Sequence, residues 1–137
     1  MKLKIFAVVL VLVVCMMCFS GCITGTEAKD FVDEFFETLE YGAYYYSLDS
    51  LMHPNSEMDI VEFFNDIEYD KGVNFQNGVE VIKYSSTAYS SYDGQIGASS
   101  YRLTAKVKVD GVTMKFVIKV GEDEQNGPLG IYSIKLK

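Results

Sequence analysis

The chain has 137 residues, 49% of them hydrophobic and 14% aromatic, with 12 Lys and Arg against 19 Asp and Glu and a formal net charge of −7. That length suits one domain around one core. The charge is unevenly divided: residues 27–70 hold 13 acids against the single base Lys29, while residues 71–137 hold nine bases and six acids. No long basic run is available for a nucleic acid, which needs a concentrated basic face, so nucleic acid is not expected among the partners.

Lys2 and Lys4 precede an uncharged apolar run, Ile5 to Met17, which Phe19-Ser20-Gly21-Cys22 closes. This is the order of a secretory signal, and its ending resembles the lipobox of bacterial-type lipoproteins. Lipoboxes usually carry Leu where Phe19 stands, whereas Ser20 and Gly21 fit. Cys15 and Cys18 are poorer candidates, because Val14 and Met17 are bulky where a peptidase needs a small residue. The resemblance implies a signal peptide over residues 1–21, a diacylglycerol on the Cys22 sulfur, a short lipidated tether over residues 22–26 and a single domain over residues 27–137. The competing readings are a cleaved secretory signal and an uncleaved anchor, since Ile5 to Ile23 approaches the ~20 apolar residues that cross a bilayer. With Cys22 acylated, the 116 remaining residues carry ten bases against nineteen acids and neither disulfide nor free thiol. Stability must then come from the core alone.

Residues 27–41 predict a helix. Ala28, Phe31, Val32, Phe35, Phe36 and Leu39 form one stripe at spacings of three and four, opposite Asp30, Asp33, Glu34, Glu37 and Glu40. Thr24 and Glu27 fit a capping box, and Gly42 a stop. Residues 43–52 predict a short second helix ending before Pro54. Ser56 is the expected N-cap of a third helix, with Asp59 three residues on and Ile60, Val61, Phe64 and Ile67 as its stripe. Lys71-Gly72 ends it.

From Val79 the period becomes two. Val79, Val81 and Lys83 alternate with Glu80, Ile82 and Tyr84, and Ser85 to Ser91 continues the strand to a turn at Asp93-Gly94. A hairpin follows around Asp110-Gly111. A two-residue loop pairs Val109 with Val112, Val107 with Met114, Ala105 with Phe116, Leu103 with Ile118 and Tyr101 with Val120. It also sets Lys106 opposite Lys115 and Arg102 opposite Lys119, which a wet face tolerates. Gly121 to Gly130 reads as a polar loop. The last strand, Ile131 to Lys137, puts Tyr132, Ile134 and Leu136 on one side and Ser133, Lys135 and Lys137 on the other. The expected architecture is α+β, with N-terminal amphipathic helices packed on one face of a curved antiparallel β-meander.

The helix order, the segment Tyr-Tyr-Ser-Leu-Asp-Ser-Leu-Met-His-Pro and the ending Gly-Ile-Tyr-Ser-Ile-Lys-Leu resemble the nuclear-transport-factor-like (cystatin-like α+β) superfamily. In particular they resemble small prokaryotic lipoproteins of unknown function that carry this domain. The resemblance covers about residues 27–137 and carries no functional residue across. It implies a cone between helices and sheet, which enzymes resembling ketosteroid isomerases and polyketide cyclases use with polar acid and base groups inside. Here the inward hairpin positions are apolar and none transfers a proton. Asp49 and His53 are the nearby candidates for an acid or base, His53 otherwise filling a surface or loop-packing role. A Ser-His-Asp triad lacks a Gly-x-Ser-x-Gly elbow.

One histidine and no cysteine beyond Cys22 supply no zinc set, and no acidic run has EF-hand spacing, so no cofactor or metal is expected. Glu122, Asp123 and Glu124 can hold a cation only loosely. Tyr44, Tyr45 and Tyr46 cannot share one helix face; with Tyr84, Tyr89 and Tyr92 they read as core-edge residues. The function expected is a non-catalytic binding or envelope-associated module, membrane-anchored on the extracytoplasmic side; the alternative is a small-molecule enzyme of the ketosteroid-isomerase or polyketide-cyclase type. The expected partners are membrane lipid through acylated Cys22, an unidentified protein or small molecule, and a second copy through the sheet.

Overall fold

Strict alternation in two long strands gives this chain a sheet with one apolar face, and that face must be covered. In the computed structural model, which describes residues 25–41, 48–122 and 129–137, helices cover it. The leader, Cys22, Thr24 of the capping box, Gly42, Tyr44 to Tyr46 and residues 123–128 lie outside the described residues.

Helix α1 (Gly25–Glu40) starts two residues before the expected position, so residues 25 and 26 of the expected tether are helical. It buries Ala28, Val32, Phe35, Phe36 and Leu39, the expected stripe. Of the expected second helix, residues 48–50 are helical, with Leu48 fully buried; residues 43–47 lie outside the described set. Helix α2 (Ile60–Lys71) is capped by Asp59 rather than Ser56: the Asp59 carboxylate accepts the Glu62 N–H at 3.0 Å. Both residue types cap well, and Asp59 directly precedes Ile60, the first residue of the buried stripe. The Ser56 hydroxyl instead donates to the Tyr132 carbonyl at 2.7 Å. Gly72, at φ 65°, closes the helix by donating its N–H to the Glu68 carbonyl at 3.0 Å.

A 3-10 turn (Phe75–Asn77) leads into the sheet. The Asp110 carboxylate accepts the Asn74 N–H at 2.7 Å and the Asn77 amide at 3.1 Å, tying this crossing to the hairpin turn.

Strands β1 (Glu80–Asp93), β2 (Ala98–Val109), β3 (Val112–Glu122) and β4 (Leu129–Leu136) form an antiparallel meander in sequence order. All five apolar pairs expected between β2 and β3 are present, as are Lys106 opposite Lys115 and Arg102 opposite Lys119. Burial decides this balance: each fully buried Val, Leu, Ile or Phe contributes about 1.5–3 kcal/mol, whereas a like-charge cross-strand pair costs at most about 1 kcal/mol.

Two bulges change the facing of residues outside this hairpin. A register shift at Ile82 leaves Val81 opposite Val107 and brings Tyr84 opposite Ala105, so Tyr84 joins the core side and Lys83 the outer side. Both had been expected on the reverse faces. The Tyr84 hydroxyl donates to the Asp33 carboxylate at 2.5 Å, joining β1 to α1; burial first, then this bond, pushes the phenol upward. A second shift places Ile131 opposite Val120 and Ser133 opposite Lys119, so Ile131 is fully buried and Tyr132 leaves the Ile134 side expected for it. Residues 121–122 and 129–130, expected in a loop, extend β3 and β4.

The space between helices and sheet is filled with rings. Phe64 of α2 stands 5.0 Å from Phe75, 5.8 Å from Phe35 and 6.1 Å from Phe116 between centroids. Beyond β4, the His53 N–H donates to the Ile131 carbonyl at 2.8 Å, and the Ile131 N–H to the Leu51 carbonyl at 2.9 Å. Segment 51–53 thereby adds one parallel bridge, Met52 to Ile131, to the sheet edge. Gly130 permits this approach, because a Cβ there would stand 2.7 Å from the His53 Cα. Gly130→Ala is expected to cost about 1–3 kcal/mol through this backbone clash, read as a lower urea midpoint at unchanged slope.

Candidate functional site

The alternation that buries the core also sorts the charge. Lys83 of β1 pairs with Lys106 of β2, and Lys106 pairs with Lys115 of β3. The Lys137 N–H donates to the Lys115 carbonyl at 2.9 Å. These four lysines form one row across the outer face, on strands about 4.8 Å apart. None of them makes an ion pair with a described residue. Lys83, Lys115 and Lys137 are exposed, while Lys106 is half-buried between its neighbours. The row lines a groove of about 230 Å³ with Ser85 and Thr104.

A second groove, about 330 Å³, lies beside it, with Arg102, Lys119, Ser133 and Lys135 among its lining residues. Here the charge is partly compensated. The Lys119 ammonium contacts the Asp93 carboxylate at 2.5 Å, donates to the Gln95 side chain at 3.1 Å and stands 5.1 Å from the Tyr132 ring centroid. The hydrogen bond from Lys119 is the main cause holding the Asp93 carboxyl below its ordinary range, with the Gln95 N–H and Ser100 hydroxyl assisting. Lys108, opposite Glu80, completes a face bearing eight of the chain's twelve bases. Like charges directly opposite one another are destabilising, so the lysine row is a standing cost in the isolated fold that a bound anion would offset.

The acid and base candidates lie elsewhere. Asp49 is exposed. His53 is 4% exposed and spent on loop packing: the Asn55 N–H donates to Nδ1 at 3.1 Å, so Nε2 carries the proton and donates to the Glu122 carbonyl at 2.7 Å. The inward residues Leu103, Ala105, Val107, Met114, Phe116 and Ile118 are all buried among the helices. Among the described residues, no cluster of His, Cys, Asp and Glu is arranged to hold a metal. Glu122 ends β3; Asp123 and Glu124 lie outside the described set, as does Cys22. No described helix is long and apolar enough to cross a membrane.

No family model, curated protein or solved structure matches this chain. The site therefore rests on its own residues. Hairpin pairing makes half of the lysine row legible in the sequence. Lys83 was missed because the Ile82 bulge carries no distinctive residue; Lys137 was assigned to the correct side without its neighbours.

Three substitutions test this geometry. Lys119→Ala should raise the Asp93 carboxyl toward its ordinary value of 3.8, read by NMR titration. A carboxyl held low in the fold adds stability above its unfolded value that disappears as pH falls through the folded one, so acid unfolding of the wild type should steepen below that range and the variant's should do so less. His53→Ala should cost about 2–3 kcal/mol by orphaning the Asn55 N–H and the Glu122 carbonyl, while Asp49→Ala should stay within about 0.5 kcal/mol of wild type; urea unfolding checks both.

Proposed function

We propose that this protein is a lipid-anchored, non-catalytic binding module on the extracytoplasmic face of a cell membrane, which binds anions through the outer face of its sheet. The fold proposed for it is nuclear-transport-factor-like, a cystatin-like α+β arrangement. The observation that carries the binding role is the row Lys83, Lys106, Lys115 and Lys137, four like charges side by side with no carboxylate partner among the described residues. Side-by-side lysines lower stability and are understandable where an anion is to be met.

Support for the anchor comes from the leader, where Lys2, Lys4, the run from Ile5 and Ser20-Gly21-Cys22 follow the order of an exported lipoprotein. Helix α1 begins three residues after Cys22, which keeps the domain against the membrane. Support for a non-catalytic role comes from the filled ring cluster around Phe64 and from His53, whose two ring nitrogens are both engaged by backbone groups. An enzyme of this fold would need a free acid or base facing the cone.

The experiment is membrane fractionation with intact-mass measurement on wild type and Cys22→Ala. Wild type should fractionate with membranes at the mass of a chain starting at an acylated Cys22, and the variant should lack that mass. An unprocessed, unacylated mass for both proteins, with both membrane-bound, would replace the lipid by an uncleaved apolar anchor.

A further inference from the structure

We infer that the groove along the lysine row is a binding site for a small condensed phosphate, a ligand with two linked phosphoryl groups. This rests on the anion-binding reading above and names the ligand class of the same face.

The ladder places the donors. Between its register shifts, residues 83–86 of β1 pair regularly with β2, which sets Lys83 opposite Lys106 and Ser85 opposite Thr104. Residues two apart on a strand share a face at about 7 Å, and neighbouring strands lie about 4.8 Å apart. Lys83, Lys106, Thr104 and Ser85 therefore mark out a rectangle, with two ammonium groups along one side and two hydroxyls along the other. Lys115 on β3 and Lys137 beyond β4 continue the cationic side. All six residues line the groove of about 230 Å³. No described residue pairs with the four ammonium groups or with the Ser85 and Thr104 hydroxyls.

Charge, size and lining select the ligand. A phosphoryl group carries about −1.5 to −2 at neutral pH, so two of them come close to balancing four lysines. A lone carboxylate leaves most of the cross-strand repulsion in place. The groove is smaller than the roughly 300–1,000 Å³ of clefts that enclose drug-sized ligands, so the charge must be dense on a small body. No aromatic side chain lines it, and a base or sugar ring meets no stacking platform there. Each lysine is a point charge with three rotatable donors, which suits a tetrahedral oxyanion; the planar fork that arginine offers a carboxylate is missing from the row. Ser85 and Thr104 supply donors to the oxygens turned away from the lysines. The adjoining groove is a poorer seat, because Asp93 already engages Lys119 there.

The test titrates the full chain, in non-ionic detergent and without divalent cations, with inorganic pyrophosphate in a calorimeter. The chain's net charge of −7 repels anions at large, so a complex of one pyrophosphate per chain reports a local site. Binding should raise the thermal midpoint. Citrate, multiply charged but built of carboxylates, should bind about tenfold or more weakly. Lys106→Gln with Lys115→Gln should weaken pyrophosphate about tenfold or more, while the unliganded thermal midpoint holds or rises as like-charge neighbours disappear. Lys29→Gln with Lys71→Gln removes two charges from the helices instead and should leave affinity within about twofold. Thr104→Val should weaken binding about threefold with its salt dependence unchanged. A diphosphate monoester run beside pyrophosphate separates two sources of the same chemistry: comparable affinity assigns the end group of a larger molecule, and tenfold weaker binding assigns the free ion.

Equal losses in the two double variants would overturn the inference by reducing the effect to net charge. Citrate binding as tightly as pyrophosphate would overturn the phosphate class. Affinity that falls as protein concentration rises would give the row to the acidic helices of a second copy. A long-chain polyphosphate separates this inference from the reading beneath it. If the polymer binds and pyrophosphate does not, the anion-binding face stands and the compact site falls; if neither binds, both fall.

Discussion

The two-residue turn at Asp110-Gly111 is the constraint that the rest of the molecule inherits. With φ near 50° and 79°, its backbone twist matches the strands it joins and admits one pairing of β2 with β3. A slip of one residue would carry Leu103, Val107, Phe116 and Ile118 to water and the five cations of these strands to the core. Core and charged face are therefore one decision. The same Asp110 holds the crossing from helices to sheet through Asn74 and Asn77, so the turn that sets the register also positions the layer that covers it.

Rings occupy the space between helices and sheet. Phe64 reaches Phe35, Phe75 and Phe116 at once, and removing a ring at such a centre typically costs about 3–5 kcal/mol. A domain without disulfides among its described residues depends on that packing. The outer face carries no such burden. Its residues can be chosen for charge, and their cost in cross-strand repulsion is small beside the burial on the other side.

How much was legible in the sequence follows from how local each signal is. Helix α1, helix α2 and the β2–β3 register rest on periodicity and on a single turn, and these could be read directly. The wet face of the hairpin came with them. The facing of Lys83, Tyr84 and Tyr132 depends on bulges at positions with no marker residue, so counting by two fails there. Asp59 won the cap from Ser56 because helix entry is fixed by where Ile60 must be buried, a tertiary matter. His53 looked peripheral beside Pro54; its burial depends on a contact with Gly130 across 77 positions of sequence, which no local pattern announces.

The sheet's two outer edges are treated differently. Segment 51–53 caps part of β4, whereas β1 stays uncapped within the described residues but breaks its ladder at three places. An incoming strand needs a flat, continuous row of amides, and neither edge supplies one over its full length. On the proposed membrane anchor, where neighbours would collide far more often than in solution, such edges would be a safeguard against fibre growth. They disfavour strand addition at the sheet edges and leave the charged face as the surface proposed for binding.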